Sequence, residues 1–361
     1  MKRLLAIIAF CLSLSPAVAQ FNGCGTGFCP SVFGSGFGAP SASGGPAVDL
    51  NFATAAYVGC TPATCLTIVR ASNKTDLLPS SSSGLQFNTF TSNVLAITPT
   101  LGLLIEEART NQLLNSCNAT TYPTQCAGNT GPATQTTGSL AATAQTLWVN
   151  GSGSAALTNG TATGCTGTAS QGSSVTFTPT AGTCIVTVTG SLNFFQLEAG
   201  SFGTSGIITT GAAGTRASDL VTLAGLAKTT IQGTSFSVIV QTGSVGKIAS
   251  GILEGTIDEL LRAESASVMR IIFGATVLAA TLGSGTFTTT TVKSALASTT
   301  GARSAVANNG TVVSDTTNIS ANTSFFLGSF GNGSGFPNCY FADLTIFASK
   351  LLDATLQAKT Q

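Results

Sequence analysis

CIVTVTG, residues 184–190, places Cys184, Val186 and Val188 on one face of an extended chain and Ile185, Thr187 and Thr189 on the other. A period of two with one apolar face reads as a strand in a sheet with one buried side. The same grammar spreads outward from this stretch. TLWVNGSG, VTFTPTAG and NFFQLEAG surround it, and CLTIVRAS, QFNTF and LAITPTLGLLIEE precede it. Downstream, Phe236, Val238 and Val240 alternate within FSVIV, and Leu344 and Ile346 within DLTIF. Ser, Gly and Pro turns separate the runs, so the chain is expected to be all-β, built from antiparallel sandwiches. DELLRAE, residues 258–264, has helix-favouring composition among strand-favouring neighbours and is read as strand. LDATLQAKT near the C-terminus reads as a short helix.

Composition narrows the function. Charged residues are 7% of the chain, far below the ~25% of average soluble domains, while 43% are hydrophobic, enough to fill the cores of two or three domains. Histidine is absent, which removes imidazole acid-base catalysis, serine or cysteine nucleophiles activated by histidine, and histidine-ligated zinc. No clustered Lys and Arg offer a footprint for nucleic acid, since Lys228, Lys247 and Lys293 are scattered.

The N-terminus has the layout of a secretory signal peptide: Lys2 and Arg3, an apolar run from Leu4 to Leu14, and small residues to Ala19. Cleavage is expected before Gln20; a retained N-terminal anchor is the alternative. Removing residues 1–19 lowers Lys+Arg from 14 to 12 against 13 Asp+Glu, a net charge of −1. No membrane-spanning segment is expected after that cut. Residues 20–48, rich in Gly, Ser and Phe, read as an extended arm. Residues 49–116 read as a short-strand region, 117–216 as a β module, and 217–361 as a second sandwich.

Nine cysteines follow the signal, in a compartment that permits disulfides. Eight form close couples: Cys24 with Cys29, Cys60 with Cys65, Cys117 with Cys126, and Cys165 with Cys184. Spacing does not fix connectivity, but local pairing is the simplest scheme because turn residues adjoin the couples. Cys339 is left odd and is expected free and buried. With no CxxC knuckle, zinc is not expected, and no other metal or cofactor either.

Two phrases around the middle of the chain, and three segments near its C-terminus, carry a resemblance. GLLIEEARTNQLLNS, residues 102–116, is similar to a GLLxExxRTN phrase of bacteriophage and prophage structural proteins that leads into a jelly-roll module. FFQLEAGSFGTSGIITTGAAGTRASD, residues 194–219, resembles the phrase that closes that module. GARSAVANNGTVVSDTT, FLGSFGNGSG and CYFADLTIFASKLLDATLQAKT, from residue 301 onward, resemble the terminal strands of a concanavalin A-like or laminin G-like domain. The resemblance implies a jelly-roll-like module followed by a concanavalin A-like sandwich, presenting or recognising surface glycans in a tail fibre or similar appendage. The signal peptide and cysteine couples depart from a virion component assembled in a reducing cytoplasm, and suggest export of the free protein or a phage gene serving the bacterial surface; the expected location is extracellular, with the virion surface, which the resemblance implies, as the alternative.

Three functions follow from this reading: a non-catalytic recognition protein for a surface glycan or polysaccharide, a structural protein that self-assembles, or a glycoside hydrolase of the concanavalin A-like fold. A homo-oligomer, for instance a trimer, is expected. Hydrolysis needs two carboxylates facing one cleft. Glu254, Asp258 and Glu259 are the nearest cluster, but Thr256 stands where sandwich hydrolases carry a middle carboxylate, and Glu106 and Glu107 are adjacent and would face opposite sides. No catalytic residue is therefore assigned. For ligand contact the candidates are Trp148, the one Trp, and Asn308, Asn309, Asn332 and Asn338 in Asn-rich turns.

Overall fold

The computed structural model describes residues 44–75 and 89–116, the backbone of 118–121, 125–127 and 129–130, and residues 133–361. The signal peptide, most of the arm, Cys24 and Cys29, and the side chains of Cys117 and Cys126 lie outside the described residues. Strands account for 47% of the described residues and helices for 6%, in several antiparallel sheets, so the all-β reading holds.

Two sandwiches share residues 44–361. The larger is built from a nine-stranded and a seven-stranded sheet. Cys339–Phe347 is central to the first, with Val48–Asn51 and Gly102–Ile105 on one side and Ser235–Thr242 on the other. Val292–Thr299, Ala302–Ala307 and Val313–Asp315 continue it. The second sheet runs Thr276–Thr281, Val268–Phe273, Glu259–Ser265, Ser250–Gly255, Phe325–Leu327, Leu220–Leu223 and Leu66–Val69. Between them lies one core, in which Leu50, Leu103, Phe236, Val238, Val240, Leu253, Leu261 and Leu344 are buried. Ile239 points the other way, yet is buried too, because the helix Asp353–Lys359 lays Leu356 over that face.

The smaller sandwich is inserted between the strands of the larger one. Val175–Phe177, Gln145–Gly151, Ser191–Ala199, Arg109–Asn111 and Gly214–Arg216 form one sheet in that order. Ala133–Thr136, Cys184–Thr189, Ser154–Asn159 and Gly167–Ser170 form the facing one. Cys184, Val186 and Val188 enter the core between them, with Leu147, Val149, Leu192, Phe195 and Leu197 opposite. The chain enters and leaves side by side, Asn111 being paired with Gly214 and Arg109 with Arg216.

One boundary read from the sequence is crossed by the sheets. The segment 49–116 does not stand apart: Val48 pairs with Ile346, Leu50 with Leu344, Leu104 with Tyr340, and Val221 with Ile68. Alternation identifies a strand but not its partner, and these partners are more than a hundred residues away. The first strand also begins at Val48, inside the segment read as arm. DELLRAE is strand, Glu259–Ser265, because Leu260, Leu261 and Ala263 fill the core and both neighbours supply ladders.

Candidate functional site

The phrase GLLIEEARTN carries the chain from one sandwich into the other. Gly102–Ile105 is a fully buried strand of the larger sandwich, and Arg109–Asn111 is a strand of the smaller. Gly102 is required at its place: its φ is +105°, and a Cβ there would lie 2.1 Å from the Phe341 carbonyl oxygen. Asn111 fixes the entry. Its Oδ1 accepts from Leu113 N (3.1 Å) and Leu197 N (3.2 Å), and its Nδ2 donates to Ile207 O (2.8 Å).

Between these strands the two glutamates diverge. Glu106 turns inward to a buried ion cluster, where Lys74 Nζ and Arg216 Nη1 lie 3.2 and 3.3 Å from its Oε2. Ser205 donates to it through N (2.7 Å) and Oγ (2.5 Å). Burial alone would raise this carboxyl, but Arg216, Lys74 and the Ser205 bonds more than offset it and hold the pKa at about 2. Asp219 takes Arg70 Nη1 on Oδ1 (2.7 Å), and Lys74 Nζ and Glu106 N on Oδ2. Beside them Glu198 accepts Thr204 N and Thr204 Oγ1, both at 2.6 Å, with Trp148 Nε1 at 3.3 Å. Burial raises the Glu198 pKa, and the Thr204 bonds pull it the other way. The two phrases of the resemblance thus meet: residues of each supply partners for charges of the other.

Glu107 turns to the surface and lines a cleft of about 580 Å³ at the junction of the sandwiches. Arg109, Thr110, Gln112, Phe202 and Lys247 share its wall. Arg109 Nη2 pairs with Glu107 Oε1 (2.5 Å), Lys247 Nζ with Glu107 Oε2 (3.2 Å), and the Arg109 guanidinium lies 4.7 Å from the Phe202 ring centre. Thr110 and Thr215 join hydroxyls at 2.8 Å. Gly200 makes room for Arg109, since a Cβ at its φ of +123° would stand 1.9 Å from Nη1. The wall therefore offers fixed charges of both signs, hydroxyls, an amide and one aromatic ring.

Of the residues proposed from sequence, Asn338 belongs to this neighbourhood. Its Oδ1 accepts Glu107 N at 2.9 Å, so it positions the cleft glutamate's backbone. Trp148 does not: it is 1% exposed, tilted against Phe194 at 5.0 Å, and donates to the buried Glu198. Asn308 holds a turn at φ +42°, its side chain bonded to Ser284 O, Thr291 O and Lys293 N. Asn309 follows at φ +56° and receives Gln361 Nε2 at 3.5 Å; both line a separate, polar depression of about 390 Å³. Asn332 accepts Ser334 N and Oγ within its own turn. None of Glu107, Arg109, Gln112, Phe202 and Lys247 was among the ligand-contact candidates, although Glu107 was weighed for hydrolysis and Lys247 named as a scattered cation. A signal existed, because in a chain so poor in charge the phrase EEAR spends three charged residues together.

Two of the carboxylates weighed for hydrolysis, Asp258 and Glu259, are otherwise engaged. Asp258 accepts Ser320 N and Oγ, Asn322 Nδ2 and Gly274 N, pinning a loop. Glu259 bridges Arg262 and Arg270 at 2.9 and 3.1 Å. Glu254 is buried, its pKa pushed well up by burial and by Glu259. Asp343, on the outer face of the larger sandwich, is raised to about 7 by burial and by neighbouring Asp49. Disulfides join Cys60 to Cys65 and Cys165 to Cys184, two of the couples read from spacing. Cys339 is free and buried, and burial followed by the nearby Glu106 charge pushes its thiol far up. Among the described residues no helix is long and apolar enough to cross a membrane.

No protein-family model matches this chain, and no curated protein matches it. Among solved structures it is similar to the CBM40 of Ruminococcus gnavus IT-sialidase, bound to alpha2,6 sialyllactose in one structure and to alpha2,3 sialyllactose in another. In each case identity is 14%, the match covers 38% of this chain and 88% of that chain, and the TM-score is 0.29. A likeness at that level settles neither the fold nor a ligand for this chain.

Proposed function

We propose that this is a non-catalytic recognition protein of an exported or virion-surface appendage, and that the cleft at the sandwich junction binds a surface glycan or polysaccharide. The observation that carries the reading is the cleft wall itself. Glu107, Arg109, Gln112 and Lys247 with the threonine hydroxyls match a polyhydroxylated ligand, and Phe202 adds an apolar face beside them. The Glu107 bridges to Arg109 and Lys247 preorganise the wall, which lowers the cost of ordering it on binding. The two disulfides support the exported setting, and the resemblance to phage structural proteins supports the virion-surface one. The engagement of Asp258 and Glu259 supports recognition over hydrolysis, which needs a free carboxylate pair across one cleft.

A glycan array tests this. Saturable binding is expected, with Phe202→Ala and Arg109→Ala each weakening it about tenfold or more, the loss of roughly one good contact, and Asn332→Ala leaving it unchanged. A blank array from a protein that forms clean trimers or fibres in mass photometry would overturn the glycan reading and leave self-assembly in its place.

A further inference from the structure

The ion cluster behind the cleft contains three groups arranged for a reaction among themselves. Lys74, Glu106 and Asp219 have side chains 0, 1 and 0% exposed. Lys74 Nζ touches Asp219 Oδ2, lies 3.2 Å from Glu106 Oε2, and donates to the Leu104 carbonyl at 2.9 Å. An amine held against a carboxyl in a dry site, with a second carboxylate beside the amine, is the arrangement an intramolecular condensation needs. We propose that Lys74 and Asp219 join in an amide cross-link, with Glu106 orienting the amine.

The step balances without any co-reactant. Nζ passes one proton to the Asp219 Oδ2 that it touches and, now an amine, attacks Cγ, forming an N–C bond. The charge that develops on Oδ1 faces Arg70 Nη1 at 2.7 Å, a fixed cation of the kind that stabilises such an oxyanion. A second proton passes from Nζ to Oδ2, the Cγ–Oδ2 bond breaks, and Oδ2 departs as water, while the Glu106 carboxylate holds the nitrogen in place. Ammonium and carboxylate become amide plus water, nothing is oxidised or reduced, and Glu106 ends as it began. The product also removes one positive and one negative charge from the interior together, so the net charge of the cluster is unchanged while the penalty of burying two ions disappears. Arg216, at 3.3 Å from Glu106, keeps that carboxylate paired once Lys74 has lost its charge.

The bond would close a covalent ring from residue 74 to residue 219 that contains the entire smaller sandwich. Strands of the larger sandwich flank both ends of the ring, Leu66–Val69 before Lys74 and Leu220–Leu223 after Asp219, and these two pair with each other. The junction carrying the cleft would then be held by a bond that reducing conditions do not open.

Peptide mapping of the whole protein, denatured and reduced, decides the matter. Lys74 in an amide is no longer cut by trypsin, so residues 71–109 should appear joined to residues 217–228, the pair lighter than its sum by one water. Lys74→Arg should restore two separate peptides, and Glu106→Gln should slow linkage on refolding by about a hundredfold, the typical cost of a misoriented reacting group, while Glu106→Asp keeps part of the rate. Cleavage after Lys74 in the wild-type protein, or loss of water within residues 71–109 alone, would overturn the proposal; because this reading uses the wild-type chain, it stands even if Glu106→Gln fails to fold. Unimpaired linkage in Glu106→Gln would overturn the role given to Glu106.

Discussion

Glu254 shows how a single side chain sets a pH dependence. It lies on the strand Ser250–Gly255, is 2% exposed, and its Oε1 has no hydrogen-bond partner. Burial and the neighbouring Glu259 raise its pKa, while Arg262 and Arg270 pull it down. The folded protein therefore keeps a proton that the unfolded chain releases above the ordinary carboxylate range. Stability from this group is intact below that range and is lost as pH rises toward the folded value. Glu254→Gln is expected to stabilise the protein at about pH 8 and to change its stability little at about pH 4. Urea unfolding at both pH values checks it, and equal destabilisation at both would mean that the carboxyl is ionised in the fold. At this scale the sequence was a poor guide. Asn308, Asn309 and Asn332 were chosen for their amides, yet those amides are taken up by the turns that Asn favours. Arg109 and Phe202 drew no notice because their meeting depends on a contact across ninety residues.

Strands carry the next level. Cys184 opens the strand Cys184–Thr189, which sits between Ala133–Thr136 and Ser154–Asn159, and Cys165 lies just before Gly167–Ser170. Their disulfide, 19 residues apart in sequence, staples this sheet at its rim, with both cysteines in the core of the smaller sandwich. Replacing both by Ala should destabilise the smaller sandwich by about 3 kcal/mol, the loop entropy returned to the unfolded chain. Hydrogen exchange is expected to quicken in Ser154–Asn159 and Cys184–Thr189 and to leave Ser235–Thr242 unchanged; faster exchange everywhere would show that the two sandwiches open as one unit. Elements were the most legible level of the sequence. CIVTVTG and FSVIV declared their faces by alternation, and DELLRAE became a strand because two ladders outweigh a local helix preference. Spacing also suggested both disulfides, since a short loop leaves few other geometries.

At the scale of the whole molecule, strand partners were hidden because alternation carries no address. The sequence read residues 217–361 as a sandwich with its own core, and the fold instead completes that core from upstream. Val48, Leu50, Phe52, Leu66, Leu103 and Ile105 are all buried among the residues of the later segment. Val48–Asn51 and Gly102–Ile105 occupy the same edge of Cys339–Phe347, and Leu66–Val69 covers the edge of Leu220–Leu223. A fragment of residues 217–361 would lack these six apolar side chains, on the order of 10 kcal/mol of burial at about 1.5–3 kcal/mol each. That is comparable to the entire stability of an ordinary domain. It would also bare two strand edges ready to pair with other chains. The fragment is expected to aggregate or to show strand-like far-ultraviolet dichroism with no cooperative transition in urea, whereas residues 44–361 unfold cooperatively. A cooperative transition in the isolated 217–361 fragment would mean that the upstream strands decorate a core already complete without them.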